Sequence, residues 1–140
     1  MKKAIFSLML LMHIMFTDIV ASELQDDPSS TYSPVSIGMV IYSNDVETVW
    51  NAFRLANHSV SQGDTVQIFL LAKGVEVDLL VNEHAELKEQ VNLFLEKGGA
   101  IQGCGTCLKR RNNDDPEVCT FSSMADLYDV VRRNKIVLTF

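Results

Sequence analysis

From position 35 to the end of the chain, short unbroken apolar runs alternate with stretches whose apolar residues recur every three or four positions. The first run, VSIGMVIY at 35–42, is rich in β-branched residues and has the length of a buried strand. Asn44 follows as a candidate helix cap, with Glu47 three residues on. Val46, Val49, Trp50, Phe53, Ala56 and Val60 then fall on one helical face, which ends at Gln62-Gly63-Asp64. TVQIFLL at 65–71 predicts a second buried strand. Residues 72–82 are expected to form a loop, with a short strand within 75–80. Leu87, Val91, Phe94 and Leu95 predict a second amphipathic helix, stopped by Gly98-Gly99. Ala100-Ile101-Gln102 predicts a short third strand that runs into Gly103-Cys104-Gly105-Thr106-Cys107. A turn of helix is expected over 108–111 and a loop over the NNDDPE segment. Ser123 and Asp126 form a second capping pair, and Met124, Leu127, Tyr128 and Val131 the apolar face of a third helix. KIVLTF closes the chain as a strand.

Strand and helix in alternation predict a single α/β domain, a three-layer α/β/α sandwich around a mostly parallel sheet. In such sheets ligands and reactive groups gather at the carboxyl ends of the strands. Cys104 follows the third predicted strand, so it falls where chemistry is expected.

The first 21 residues follow a different pattern. Lys2 and Lys3 precede an apolar run over 4–16, and Ala21 offers a small residue for cleavage before Ser22. That order predicts a secretory signal, and the run is shorter than the roughly 20 residues needed to span a bilayer. An uncleaved anchor or a buried strand are the competing readings. Residues 22–34 hold two of the three prolines and have no apolar period, so they are expected to be a flexible leader before a domain at 35–140. The mature protein is therefore expected in the periplasm or outside the cell, with no stable membrane anchoring after cleavage. A length of 140 residues suits one domain. A net charge of −6, with no basic stripe, argues against a nucleic-acid partner.

The cysteines carry the candidate chemistry. Cys104 and Cys107 form a C-x-x-C pair at a predicted strand-to-helix junction. A thiol reacts as its thiolate, which backbone N–H groups at a helix start and the charges of Lys109, Arg110 and Arg111 would favour. A buried structural thiol is the competing reading of Cys104. Cys107, a turn further on, is expected to be the less exposed of the two. Cys119 is read either as a core thiol or, with Cys104, Cys107 and His84 or His58, as part of a zinc site, although a second C-x-x-C is absent. Its acidic neighbours are expected to raise its pKa. His58 and His84 are expected on solvated helix surfaces and Trp50 in the core. Gly103-x-Gly105 lacks the third glycine of a dinucleotide-binding loop.

The segment GGAIQGCGTCLKRRN, with FSSMADLYDVVRRNKIVLTF beyond it, resembles DsrE/DsrF-like proteins. IGMVIYSND and AKGVEV carry the same resemblance, which spans 35–140. It implies an α/β/α fold, a tendency to oligomerise, and sulfur carried as a persulfide on the cysteine that matches Cys104. Cys107 matches a second cysteine present in some branches. Asn112 stands where the family has glycine, so the following loop is expected to differ. The expected function is a sulfur carrier or thiol-redox protein that needs no organic cofactor. Its partners would be sulfur donor and acceptor proteins or small inorganic sulfur species. The competing reading is an oligomeric binding or assembly module with a structural cysteine pair.

Overall fold

The structure is a computed structural model that describes residues 32–140. The expected signal segment and residues 22–31 of the leader lie outside the described residues. Tyr32–Phe140 form one compact unit. Among the described residues no helix is long and apolar enough to cross a membrane.

Five strands make a wholly parallel sheet in the order β4-β3-β2-β1-β5. They are β1 (Ser36–Ile41), β2 (Thr65–Leu70), β3 (Ala100–Cys104), β4 (Thr120–Ser122) and β5 (Ile136–Thr139). The helices between them are α1 (Val46–Ser61), α2 (Val77–Glu83), α3 (Ala85–Glu96), α4 (Gly105–Lys109) and α5 (Met124–Arg133), with a 3-10 turn over Ala72–Glu76. The chain steps from β1 to β4 in one direction, and α5 then carries it back across the sheet to pair β5 with β1. Such parallel crossovers require a helix between strands, which is why the alternating pattern was decisive.

Strand residues alternate between the two faces. Gly38 turns toward α5, so closely that a Cβ there would lie 2.8 Å from Val130 Cγ1. Its neighbours Ile37 and Met39 turn the other way into the main core, with Ile68, Leu70, Val49, Phe53 and Phe94 among its members. There α1 packs against α3, and the rings of Phe53 and Phe94 meet edge to face at 6.1 Å.

Four local expectations are corrected. Asp45, not Asn44, caps α1, because its carboxylate accepts from the Thr48 N–H at 2.9 Å and hydroxyl at 2.7 Å. The Asn44 side chain donates instead to Glu76 Oε2 at 2.7 Å. Residues 72–83 are helical, not a loop with a strand. Gly74, Val75, Val77, Asp78 and Val81 are the buried positions, a helical spacing whose packing outweighs the β-propensity of the valines. The third strand extends through Cys104, and β4 is a further strand of three residues beyond it. His84 sits at the junction of α2 and α3, outside either helix. The capping box of Ser123 and Asp126 is present as expected.

Candidate functional site

Three successive strands deliver their carboxyl ends to one place. After β1 comes Asn44, after β2 the turn Ala72–Glu76, and after β3 the segment from Cys104 to Arg111. Glu76 joins them. Its Oε2 accepts from Asn44 Nδ2 at 2.7 Å, and its Oε1 accepts from Arg111 Nε at 2.7 Å. Arg111 Nη1 also donates to the backbone carbonyl of Cys107 at 3.2 Å. The Arg111 guanidinium holds the Glu76 carboxyl below its ordinary range, with the Asn44 amide adding to the effect and burial opposing it.

The turn after β2 reaches the site because of two backbone features. Ala72 adopts the left-handed conformation, with φ of 52°, which is uncommon for a residue with a side chain. Gly74 lies against the end of β1, where an added Cβ would fall 2.0 Å from the Ile41 carbonyl oxygen. Only glycine allows that approach.

Cys104 is the last residue of β3 and the N-cap of α4. It is 8% exposed, whereas Cys107 is half-buried. The expectation that Cys107 is the less exposed thiol is therefore corrected. The strand end carries Cys104 inward, and the first turn of α4 brings Cys107 back toward the surface. The α4 helix has five residues, which limits any dipole contribution to a single turn. Burial first, and Cys104 second, push the Cys107 thiol above its ordinary range; the Ala72 N–H and the Arg111 charge oppose them. Of the three basic residues expected to act on the thiols, Arg111 does so from within an ion pair, while Lys109 and Arg110 are exposed.

Cys119 stands apart from the pair in role and environment. Its sulfur covers Gly103, where an added Cβ would lie 2.6 Å away. Its pKa is pushed up to about 12, by burial first and by the Asp78 charge second, rather than by the acidic loop expected from sequence. Asp78 was not singled out in the sequence. It is buried, and it accepts from Asn113 Nδ2 at 2.9 Å, Glu117 N at 2.9 Å and Val118 N at 2.8 Å. It thereby folds the NNDDPE loop down and sets Cys119 and β4 beside β3. No sequence signal marks it, because its partners lie 35 to 40 residues away.

Among the described residues no group of three or more histidines, cysteines, aspartates or glutamates converges to hold a metal ion, so the zinc reading has no cage to rest on. Trp50 is half-buried, with the Arg54 guanidinium 4.3 Å from its ring centroid. With Asp45, Glu83 and His84 it lines a surface groove of about 670 Å³.

The fold matches two solved structures. The YchN protein of E. coli aligns with a TM-score of 0.64 at 16% identity, covering 77% of this chain and all (100%) of that one. The conserved protein BT1422 of Bacteroides thetaiotaomicron aligns with a TM-score of 0.63 at 18% identity, covering 75% and 94%. By sequence the chain is 28% identical over 100 residues to the uncharacterized protein MJ0989 of Methanocaldococcus jannaschii, covering 67% of this chain and 88% of that protein. It is 29% identical over 88 residues to the uncharacterized protein MK0008 of Methanopyrus kandleri, covering 61% and 73%. The model of the DsrE/DsrF-like family matches residues 36–140.

Proposed function

Because this chain belongs to the DsrE/DsrF-like family, which is linked to sulfur relay, we propose that it carries sulfane sulfur as a persulfide on Cys104. The observation that carries the reading is the placement of Cys104 at the carboxyl end of β3 and of Cys107 in the first turn of α4 that follows it. The Cys104 thiolate attacks the sulfane sulfur of a persulfide or polysulfide donor. A sulfur–sulfur bond forms on Cys104 as the donor's own bond to that sulfur breaks, and the donor leaves as a thiol or a shortened polysulfide. The outer sulfur is then handed to a nucleophilic acceptor. The residues that act are protein groups, and the step calls for no organic cofactor.

The order of charged, apolar and small residues over 1–21 supports export, with action in the periplasm or outside the cell. The exposed apolar face of α5 and the edge strand β5, which no strand other than β1 pairs among the described residues, support homo-oligomer formation. The same features favour the second reading, an assembly module with a structural thiol pair, which the 8% exposure of Cys104 also fits.

Incubation with polysulfide, followed by mass spectrometry of the intact protein, separates the two readings. The carrier gains 32 Da, about the mass of one sulfur atom, on a peptide containing Cys104. Cys104→Ser abolishes the gain, and Cys119→Ser leaves it intact. Normal loading of Cys104→Ser would exclude the mechanism.

A further inference from the structure

The chain of polar contacts from Asn44 through Glu76 to Arg111 ends on the backbone carbonyl of Cys107, not on either sulfur. It connects segments that the sequence keeps far apart: 32 residues separate Asn44 from Glu76, and 35 separate Glu76 from Arg111. Both charged partners are largely covered, with side chains 28% and 26% exposed. A pair in that setting is worth more than an exposed surface ion pair, because water screens it less.

Cys107 needs such an anchor. It lies in a five-residue helix, and an isolated helix of that length has little stability of its own. Arg111 is the residue that ties this turn to the rest of the site, because it grips the Cys107 carbonyl and Glu76 together. Glu76 in turn ends the 3-10 turn that begins at Ala72, whose N–H faces the Cys107 sulfur.

We propose that Asn44, Glu76 and Arg111 are positioning residues that hold Cys107 in register to resolve a persulfide on Cys104. The proposal rests on the sulfur-carrier reading for its substrate, but its geometry is that of Asn44, Glu76, Arg111 and the Cys107 carbonyl. In the step, the Cys107 sulfur bonds to the inner sulfur of the Cys104 persulfide. The bond between the inner and outer sulfurs breaks, and the outer sulfur leaves as hydrosulfide with the proton from the Cys107 thiol. The sulfane sulfur is reduced by two electrons as the two cysteines are oxidised to a disulfide, so no other oxidant enters. A dithiol reductant returns the pair to thiols.

The test is the equilibrium of the Cys104–Cys107 pair in the full chain against a dithiothreitol redox buffer, which requires no sulfur loading. Glu76→Gln keeps the shape and removes the charge. It is expected to disfavour the disulfide about tenfold, equivalent to about 30 mV. Arg111→Lys, which keeps the charge but cannot grip both acceptors, is expected to do the same. Glu76→Asp should recover part of the shift, which a generally loosened fold would not do. An equilibrium within twofold of the parent in Glu76→Gln overturns the proposal. Failure of the parent protein to load sulfane sulfur overturns the carrier reading instead, and leaves this equilibrium to be judged separately.

Discussion

At the scale of single residues, the three cysteines differ by what surrounds them rather than by their neighbours in sequence. Cys119 is held as a neutral thiol under Gly103, with its pKa pushed up to about 12. In the native protein at pH 8 it is expected to resist iodoacetamide, while the half-buried Cys107 is labelled; labelling of Cys119 at the rate of a small-molecule thiol would contradict its burial. The same shift has a consequence for stability. Between the ordinary thiol value of 9.0 and about 12, the unfolded chain loses the Cys119 proton while the folded chain keeps it. The unfolded state then binds fewer protons, so stability falls as pH rises through that window. Cys119→Ala should flatten that alkaline slope in urea melts. Asp78 is the second decisive residue. Asp78→Ala leaves two partly buried backbone N–H groups and the Asn113 amide without their acceptor, and is expected to cost about 2 kcal/mol in denaturant unfolding. A cost under about 0.5 kcal/mol, typical of a neutral surface site, would show that the loop holds itself.

At the scale of elements, α5 shows a local signal that the tertiary structure preserved. Ser123 accepts from the Asp126 N–H while the Asp126 carboxylate accepts from the Ser123 N–H at 2.6 Å, both within one turn. Ser123→Ala is expected to destabilise the domain by about 1 kcal/mol in thermal or urea unfolding. The turn after β2 behaves in the opposite way. Its sequence, AKGVEV, carries valines that favour a strand, yet it folds as a 3-10 turn leading into α2 because Gly74 must meet the Ile41 carbonyl. Gly74→Ala is expected to cost about 3 kcal/mol or more by forcing that turn off β1. Because the same turn presents Ala72 and Glu76, the substitution should also raise the Cys107 thiol pKa, read from the pH dependence of alkylation in a Cys104→Ser background. A stable Gly74→Ala protein with an unaltered profile would show that the close approach is dispensable.

At the scale of the whole molecule, the described domain leaves apolar surface without a covering layer. On α5, Met124 and Tyr128 are 64% and 63% exposed and Val131 lies on the same helical face. On the sheet edge, Ile136 and Val137 of β5 are also exposed. Contiguous apolar surface beside an open strand edge favours association. Light scattering of the mature protein at micromolar concentration is expected to give a homo-oligomer, and Tyr128→Glu or Ile136→Lys to lower its mass. A monomer in the parent protein would count against the assembly. N-terminal sequencing of protein from its native host is expected to begin near Ser22; an intact Met1 in the membrane fraction would contradict export.

The pattern of apolar residues was enough to determine the α/β class, four of the five strands and the place of Cys104 at a strand's carboxyl end, because strands buried on both faces read as short unbroken apolar runs while helices buried on one face repeat about every 3.6 residues. The capping box on α5 was legible for the same reason: its partners are three residues apart. What the tertiary structure alone decided depends on partners distant in sequence. Asn44 has a plausible local role as a cap, but Glu76 claims it from across the site, and Asp45 takes the cap instead. The three-residue β4 is too short to show a period, and it exists because Asp78 folds the preceding loop beside β3. The relative depth of Cys104 and Cys107 also escaped the pattern. Exposure at a strand-to-helix junction is set by the direction in which the chain turns and by what packs over it, and neither is written in the spacing of two cysteines.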